Sequence, residues 1–264
     1  MARKSLPDSS SSSRYRQIVF DTYAEIFKRR AHEYHHAMKA SPNARESEFR
    51  SVLEPLREAR PGVVCDMPSG GGYLAAYLWP GMDYLAVDPA TDFFVEWPTP
   101  LRRLVAEITN VPLADRTVDY VVSLAGLHHE PSLPRVFDEM RRLLRPGGRS
   151  VIADVAVGMP PARFLNGFVA ENCPMGHDGV FLDERTSPAL EAAGFSIADD
   201  RIMEVPWVFD SFEEAGEFCR HLFGMTALGA AETVDAMQRE IGFDIKDGKP
   251  HLRWALRRIV ADIR

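Results

Sequence analysis

The feature that most constrains the fold is a short apolar segment that runs directly into a glycine cluster. Residues 63–78 read VVCDMPSGGGYLAAYL, so a strand predicted to end near Asp66 is followed by Gly70, Gly71 and Gly72. Glycine has no Cβ, and a glycine loop therefore lets the backbone approach a ligand closely. Asp88 ends the next predicted strand, YLAVDP, where a carboxylate can accept hydrogen bonds from ribose hydroxyls. Together these features predict a site for an adenosine-containing cofactor.

The segments after Pro61-Gly62 alternate between strand and helix patterns. Apolar or β-branched runs predict strands at 63–67, 84–88, within 101–108, at 120–124 and at 150–155. Amphipathic or helix-like segments are predicted at 70–78 after the loop, and at 133–144, 160–169, 187–193, 212–223 and 230–241. Residues 195–208 contain a further strand, and 251–263 fit either a strand or a helix. This alternation predicts an α/β fold with a parallel sheet covered by helices on both faces.

The chain divides into three parts by composition. Residues 1–13 contain an unbroken serine run and are predicted to be a disordered tail. Residues 14–58 carry two apolar stripes at helical spacing and are predicted to form an N-terminal helical cap. Residues 59–264 form the predicted core, with a helical lid insertion at about 209–245 that is rich in methionine and aromatic residues.

Charge, cysteine and hydropathy patterns narrow the function classes. The net charge is −7 without a long basic run, which argues against a nucleic-acid partner. The three cysteines are far apart and are predicted to be reduced thiols. We see no apolar run of the roughly 20 residues that a membrane span needs, and no signal-peptide pattern. These features predict a cytoplasmic protein with no membrane partner, either a monomer or a homodimer.

The glycine spacing distinguishes between nucleotide cofactors. Dinucleotide-binding folds prefer G-x-G-x-x-G, whose third glycine allows close helix packing. Here the glycines are consecutive and Tyr73 follows, which fits NAD poorly. The lysine and hydroxyl residue of a phosphate-binding P-loop are also missing.

Five motifs in order resemble those of class I S-adenosylmethionine-dependent methyltransferases, in particular the small-molecule branch called methyltransferase type 11. The motifs are DMPSGGG after the first strand, Asp88 after the second, EITNVPLADRTVDYVVS, SLAGLHHE after the fourth strand, and LRPGGRSVIADV. The segment LEAAGFSI resembles the family's step into its sixth strand. The resemblance covers residues 60–155 well and 185–207 moderately. It implies a doubly wound, Rossmann-like, seven-stranded sheet and S-adenosyl-L-methionine as cofactor.

The resemblance also implies which residues bind the cofactor. Asp66 would lie near the methionine amino group, Asp88 would hold the ribose hydroxyls, and Leu124 and Ala125 would lie below the reactive methyl. The complete implied set is Asp66, Pro68, Ser69, Gly70, Gly72, Asp88, Pro89, Glu107, Ile108, Leu124 and Ala125. Pro68 departs from the family pattern, which has glycine there, and proline has no N–H to donate. This departure raises weakened cofactor binding as an alternative.

Candidate catalytic and substrate residues follow from position and chemistry. His128 and His129 follow the fourth strand at the ligand-binding edge, where an imidazole can act as a base near neutral pH. Tyr23, His32 and Tyr34 lie on the predicted N-terminal helix, and in this family such helices cap the substrate pocket. His32 and His36 are four residues apart on one helical face, but no further ligand completes a set, so no metal site is predicted.

The sequence leaves three functions open. The leading one is transfer of a methyl group to an oxygen, nitrogen or carbon atom of a small molecule, by in-line displacement with proximity and desolvation. The second is another nucleotide-fold enzyme, such as an NAD(P)-dependent oxidoreductase. The third is a non-catalytic module that binds S-adenosylmethionine, because fold alone does not decide function.

Overall fold

The computed structural model describes residues 23–95 and 101–264. The predicted tail at 1–13 and the start of the predicted N-terminal helix lie outside the described residues. Within them the chain begins with helix α1 (Tyr23–Ala40), followed by α2 (Glu46–Leu53) and a 3-10 turn at Glu54–Leu56. Pro55 lies in that turn. Among the described helices, none is long and apolar enough to cross a membrane.

Seven strands form the central sheet in the order β3-β2-β1-β4-β5-β10-β6. Strands β1 to β5 pair in parallel, whereas β10 runs antiparallel to both β5 and β6. The strands are β1 (Val63–Asp66), β2 (Asp83–Asp88), β3 (Arg102–Val105), β4 (Val118–Leu124), β5 (Leu144–Asp154), β6 (Phe195–Glu204) and β10 (Ala255–Ile263). The predicted Rossmann-like seven-stranded sheet is therefore confirmed, and residues 255–263, whose class was open, form a strand.

Both faces of the sheet are covered, as the near-continuous apolar strands predict for buried parallel sheets. Val64 and Val122 point to a core that includes α2, whereas the neighbouring Cys65 and Val121 point to the opposite core. That opposite core includes α3 (Leu133–Leu143) and α6 (Thr186–Ala192). Side chains alternate across a strand, so one continuous apolar run supplies both cores.

The remaining elements gather over the carboxyl ends of the parallel strands. They are α4 (Pro160–Phe164), a π-helical turn at Leu165–Val169, α5 (Ala170–Asn172), α7 (Phe212–Leu222) and α8 (Ala230–Glu240). A second, three-stranded sheet has the order β7-β9-β8, with β7 (Trp207–Val208), β8 (Phe243–Lys246) and β9 (Lys249–Leu252). The predicted insertion at 209–245 is thus not helical throughout, because β8 begins within it and pairs with β9.

Two local predictions were wrong in detail. The helix expected within residues 70–78 is a short 3-10 helix at Tyr73–Tyr77, and it ends where the backbone becomes extended at Leu78. The fifth strand begins at Leu144 rather than near residue 150, so the Pro146-Gly147-Gly148 segment lies inside β5. A register irregularity where β4 pairs with β5 near Val118 accommodates that segment.

Candidate functional site

A cavity lies between the carboxyl edge of the sheet and helices α1 and α7. Asp66 and Leu124 line it from the ends of β1 and β4, and Phe27 and Leu222 line it from the two helices. The other lining residues are Tyr23, Arg30, Tyr34, Arg45, Glu48, Phe49, Pro68, Ser69, Gly70, Tyr73, Leu74, Phe93, Ala125, Gly126, His128, His129, Val155, Leu165, His177, Trp207, Phe223 and Trp254. Ligands bind at this edge of open α/β sheets, so the cavity is the candidate active site.

The glycine loop turns sharply at one end of the cavity. Gly70 has φ +52° and Gly72 has φ +70°, both in the left-handed region where a side chain is strained. The Ser69 N–H donates to the Val87 carbonyl at 3.0 Å, which holds the loop against β2. Glycine adopts these two left-handed positions without the strain that a Cβ brings, which explains why glycines follow β1 here.

Asp88 joins the glycine loop to the end of β2. Its carboxylate accepts hydrogen bonds from the backbone N–H of Gly70 at 2.7 Å and of Ala90 at 2.8 Å. It also accepts one from the Tyr23 hydroxyl at 3.0 Å. Burial raises the pKa of Asp88 to about 7, and these hydrogen bonds oppose that rise. The carboxylate therefore already holds a hydroxyl of the kind that a ribose would present.

The same contact separates Asp88 from the cavity. Asp88 is fully buried and is not a lining residue, whereas Tyr23 is. Burial and the Asp88 carboxylate raise the pKa of Tyr23 well above its ordinary value, so the phenol stays protonated as the donor. A nucleoside can reach Asp88 only when the first turn of α1 releases this hydrogen bond.

Asp66 is the second buried carboxyl group at this end. It lines the cavity and accepts a 2.6 Å hydrogen bond from the Tyr84 hydroxyl on β2. Burial raises its pKa to about 7, while the Tyr84 hydrogen bond acts in the opposite direction. The nearby Asp88 carboxylate adds to the rise, so the two acids disfavour each other's ionised form.

Pro68 packs against the segment after β4. A Cβ placed on Gly126 would lie only 2.4 Å from the Pro68 Cγ, so the proline ring occupies the space that glycine leaves open. Ala125 has φ +50°, and its N–H donates to the Ala153 carbonyl at 2.8 Å. Pro68, Leu124 and Ala125 all line the cavity, and the placement of Leu124 and Ala125 below the reactive methyl stays a prediction.

Orphaned polar atoms at this edge bear on whether a cofactor fits. The hydroxyl oxygens of Ser69 and Ser123 are buried and have no hydrogen-bond partner within the described residues. Buried polar groups are almost always paired, so an unpaired hydroxyl beside a glycine loop indicates space for a polar ligand. Ser69, Gly70 and Asp88 thus fit the amino-acid and ribose portions of the implied cofactor.

Several predicted site residues do not line the cavity. Pro89 is half-buried after β2, Glu107 is exposed and Ile108 belongs to the core beneath β3, although all three lie at the same sheet edge. Gly72 shapes the loop without lining the cavity. His32 was predicted to contact substrate, but it lies exposed on the outer face of α1 because the inner face carries Tyr23, Phe27 and Tyr34.

Three imidazoles meet at the other end of the cavity. The ring centroids of His128 and His129 are 4.2 Å apart, and His177 lies 5.4 Å and 5.3 Å from them. The Nδ1 atom of His128 is 2.7 Å from the Asp154 carboxylate at the end of β5. Burial and the neighbouring positive groups hold the pKa values of His129 and His177 well below their usual range. Both rings are therefore neutral near pH 7.

Buried arginines add charge to this end. Arg30 on α1 is 8% exposed, donates from Nη2 to the Leu222 carbonyl at 2.8 Å, and has an unpartnered Nε. No carboxylate within residues 23–95 and 101–264 forms an ion pair with it. Arg45, by contrast, pairs with Glu48 at 2.6 Å and donates to the Tyr34 hydroxyl at 2.8 Å. Arg30 is thus an uncompensated cation facing a cavity.

Sequence reasoning missed several residues that the structure brings to the site. Arg30, Arg45, Glu48 and His177 were not predicted to line it. The one available signal was the placement of Arg30 on the same helical face as Phe27 and Tyr34, where a charged residue interrupts an apolar stripe. Nothing local marks His177, because its neighbours in the cavity come from distant segments.

Comparisons with known proteins agree with this geometry. Residues 65–152 match the family model described as a methyltransferase domain. A malonyl-[acyl-carrier protein] O-methyltransferase of Xylella fastidiosa is 30% identical over 141 residues, which cover 49% of this chain and 48% of that protein. An arsenite methyltransferase of Halobacterium salinarum is 33% identical over 122 residues, covering 43% of this chain and 30% of that protein. The chain spans about half, or less, of the length of these curated relatives.

Solved structures share the fold at low identity. An S-adenosylmethionine-dependent methyltransferase from Thermotoga maritima superposes with a TM-score of 0.61 at 16% identity, covering 91% of this chain and 99% of that one. The 1,6-didemethyltoxoflavin-N1-methyltransferase of Burkholderia thailandensis, solved with S-adenosylhomocysteine, gives 0.54 at 17% identity, covering 91% and 88%. Residues 65–152 therefore resemble a methyltransferase domain, and the fold is that of S-adenosylmethionine-dependent methyltransferases of known structure.

Proposed function

We propose that this protein binds S-adenosyl-L-methionine at the glycine-loop end of the cavity and transfers its methyl group to a small molecule. The observation that carries the proposal is the Asp88 carboxylate, which is joined to the Gly70 N–H at 2.7 Å at the ends of β1 and β2. In the bound state the ribose hydroxyls replace the Tyr23 hydroxyl on Asp88. Ser69 and Asp66 then lie on the side of the methionine portion.

The chemistry of the cofactor is a methyl group on a sulfonium, which leaves behind a neutral thioether. The protein contributes mainly orientation and exclusion of water, because a good neutral leaving group needs no acid catalyst. Leu124, Ala125 and Gly126 line the wall between the glycine loop and the imidazoles. An acceptor in that space approaches the methyl carbon in line with the sulfur.

His128 is the imidazole best oriented to hold a proton. Its Nδ1–H donates to Asp154, which leaves Nε2 as the acceptor, and the His128 backbone N–H donates to the same carboxylate at 3.1 Å. This fixed orientation suits a general base for an acceptor that must lose a proton. The His129 side chain lies beside it and has no hydrogen bond within the described residues, so we assign it to acceptor contact.

The acceptor class follows from charge. Arg30 lines the acceptor end and has no acidic partner among residues 23–95 and 101–264, and a buried unpaired cation is costly unless a ligand compensates it. We therefore infer an acceptor that carries a carboxylate, phosphate or similar anionic group. Aromatic side chains such as Trp207, Trp254 and Phe223 then cover its apolar portion.

For the localisation and the oligomeric state we keep the proposals made from the sequence, namely a cytoplasmic protein that is a monomer or a homodimer.

The alternatives to a small-molecule methyltransferase are a non-catalytic cofactor-binding module and a different reaction on the same fold. The [4+2]-cyclase SpnF supports the second alternative, since it superposes with a TM-score of 0.51 at 16% identity, covering 81% of this chain and 79% of that one. The fold therefore does not decide the reaction, and turnover must be measured.

The test combines binding and turnover. Calorimetric titration with S-adenosylmethionine and S-adenosylhomocysteine should give micromolar binding, and titration with NAD should give none. Incubation with methyl-labelled S-adenosylmethionine and a panel of small hydroxy, amino and thiol acids should then transfer label to one class, read by mass spectrometry. Absence of cofactor binding would overturn the proposal, and binding without transfer to any acceptor would favour the non-catalytic module.

A further inference from the structure

The three imidazoles at the acceptor end form a set of nitrogen ligands with an open side. One ligand atom from each of His128, His129 and His177 lies within 4.8 Å of the others. His128 is buried and the other two are half-buried, and all three line the cavity. Three histidines with one position left to solvent or substrate are typical of catalytic zinc sites.

Two of the rings are held by second partners in the way that metal-binding histidines usually are. His128 directs Nδ1 at the Asp154 carboxylate at 2.7 Å, and His177 directs Nδ1 at the Asn166 side-chain oxygen at 2.8 Å. The same Asn166 oxygen accepts the Gly179 N–H at 2.8 Å, so it is an acceptor and the His177 Nδ1 must be the donor. Each ring therefore keeps Nε2 unprotonated for a metal ion.

The local fold supports this arrangement. Asn166 lies on the π-helical turn Leu165–Val169, and such turns occur frequently at functional sites. Its side-chain nitrogen donates to the Gly179 carbonyl at 3.0 Å, so one residue ties down the whole turn that carries His177. The Val180 N–H donates to the His128 carbonyl at 2.7 Å, which fastens that turn to the other two histidines.

We propose that His128, His129 and His177 bind a divalent zinc-class metal ion whose open coordination position faces the acceptor. With the ion bound, the His128 Nε2 is a metal ligand and no longer serves as the general base. Nitrogen-only ligands suit zinc better than magnesium or calcium, which prefer oxygen. Tetrahedral bonds of about 2.0–2.1 Å bring the three nitrogens closer together than in the metal-free protein. The three rings must therefore move closer together when the ion binds, most of all His129, whose side chain has no hydrogen bond within the described residues, whereas Asp154 holds His128 and Asn166 holds His177.

The positive charge of Arg30 favours an anionic acceptor beside the metal ion. Arg30 lines the same cavity as His129 and His177, so its guanidinium also repels a metal ion bound there. An anionic acceptor between the two positive groups relieves this repulsion. The acceptor heteroatom loses its proton to solvent when it coordinates the ion, and its lone pair then forms the new bond to the methyl carbon as the carbon–sulfur bond of the cofactor breaks.

The role of the ion in methyl transfer rests on the proposed function, but the binding of the ion does not. The test therefore uses the full chain, stripped with a chelator, without cofactor or acceptor. Zn²⁺ is titrated by calorimetry and Co²⁺ by its visible absorption. We expect one equivalent of each metal ion per chain, with the strong absorption of a tetrahedral cobalt site.

Two variants probe the ligands and one serves as a control. His177→Gln should weaken metal binding at least tenfold, and Asn166→Ala should weaken it roughly 10- to 100-fold because it removes the partner of Nδ1. His251→Gln, on β9 and outside the cavity lining, should bind as the unaltered protein does. Thermal unfolding confirms that each variant is folded.

The outcomes separate the two proposals. Weak binding of several ions by the unaltered protein, or unchanged binding by a folded His177→Gln protein, would overturn the metal site. If S-adenosylmethionine still binds in that case, the proposed function stands alone. If instead one Zn²⁺ binds and S-adenosylmethionine does not, the metal site stands and the proposed function fails.

Discussion

The two ends of the cavity are built in opposite ways. The glycine-loop end comes from one β-loop-β unit, in which Gly70 and Asp88 are 18 residues apart and directly bonded. The acceptor end takes His128 from the segment after β4, His177 from the loop after α5, and Arg30 from α1. The first end depends on neighbouring residues, whereas the second exists only when distant segments pack.

This difference has consequences for both stability and specificity. In the proposed function, backbone N–H groups and the Asp66 and Asp88 carboxylates bind the cofactor at the glycine-loop end, so many other side chains there can change without effect. At the acceptor end, the groups that face the ligand are side chains on separate elements. Substitutions there can change the acceptor while the cofactor site is retained.

The largest expected effect is at the glycine-loop end. Asp88→Ala should weaken S-adenosylmethionine binding by about 100-fold or more, because two hydrogen bonds to a charged group contribute roughly 1.5–3 kcal/mol each. Calorimetry measures the change, and circular dichroism checks folding, since Gly70 and Ala90 lose their acceptor. The neighbouring Asp92→Ala serves as control and should bind normally. Retained binding in Asp88→Ala would place the ribose elsewhere.

The next largest effect is at the acceptor end. Arg30→Met should raise the KM for an anionic acceptor by about 10- to 100-fold, since a charge-assisted hydrogen bond is lost. The dissociation constant for S-adenosylmethionine should stay the same, and the unfolding temperature should be equal or higher because Arg30 is buried without an acidic partner in the described part of the chain. Lys28→Met removes the same charge from an exposed position on α1 and should change neither quantity. If Arg30→Met lost affinity for S-adenosylmethionine by the same factor, Arg30 would contribute to cofactor binding and would not be specific to the acceptor end.

The pH dependence of cofactor binding tests the role of Asp88 at the glycine-loop end of the cavity. The pKa of Asp88 in the empty protein is raised to about 7, so its ionised form declines as the pH falls through 7. Binding should be about tenfold weaker at pH 6 than at pH 8, because the ribose hydroxyls bind the ionised carboxylate. Asp88→Ala should reduce this pH dependence in calorimetric titrations and leave the part that comes from Asp66, whose pKa burial also raises to about 7. A pH-independent affinity in the unaltered protein would contradict the assignment.

The smallest expected effect concerns the contact that links α1 to the glycine-loop end. Tyr23→Phe removes the hydroxyl that competes with the ribose for Asp88, and should tighten S-adenosylmethionine binding by up to about fivefold. The matched control is Tyr77→Phe, because the Tyr77 hydroxyl makes just one long hydrogen bond, of 3.5 Å, to the Pro42 carbonyl at the surface. Weaker binding in Tyr23→Phe would show that the phenol contacts the bound cofactor instead.

Much of the sheet and part of the site were predictable from sequence. The strands ending at Asp66, Asp88 and Leu124 follow from apolar runs and punctuating glycine or proline residues. The prediction of His32 at the pocket was wrong because helical spacing defines a face but not which face is buried. The three-stranded sheet of β7, β8 and β9 was missed because such short strands carry too little periodicity.

By itself the sequence determined the glycine loop, the acid after β2 and the order of strands and helices, because each depends on backbone preferences and side-chain periodicity over a few residues. Only the tertiary structure decided that the Tyr23 hydroxyl meets Asp88, that Arg30 faces the cavity with no acidic partner among the described residues, and that His177 joins His128 and His129. Those contacts join elements far apart in the chain, and no local pattern specifies which distant side chain arrives at a given sheet edge.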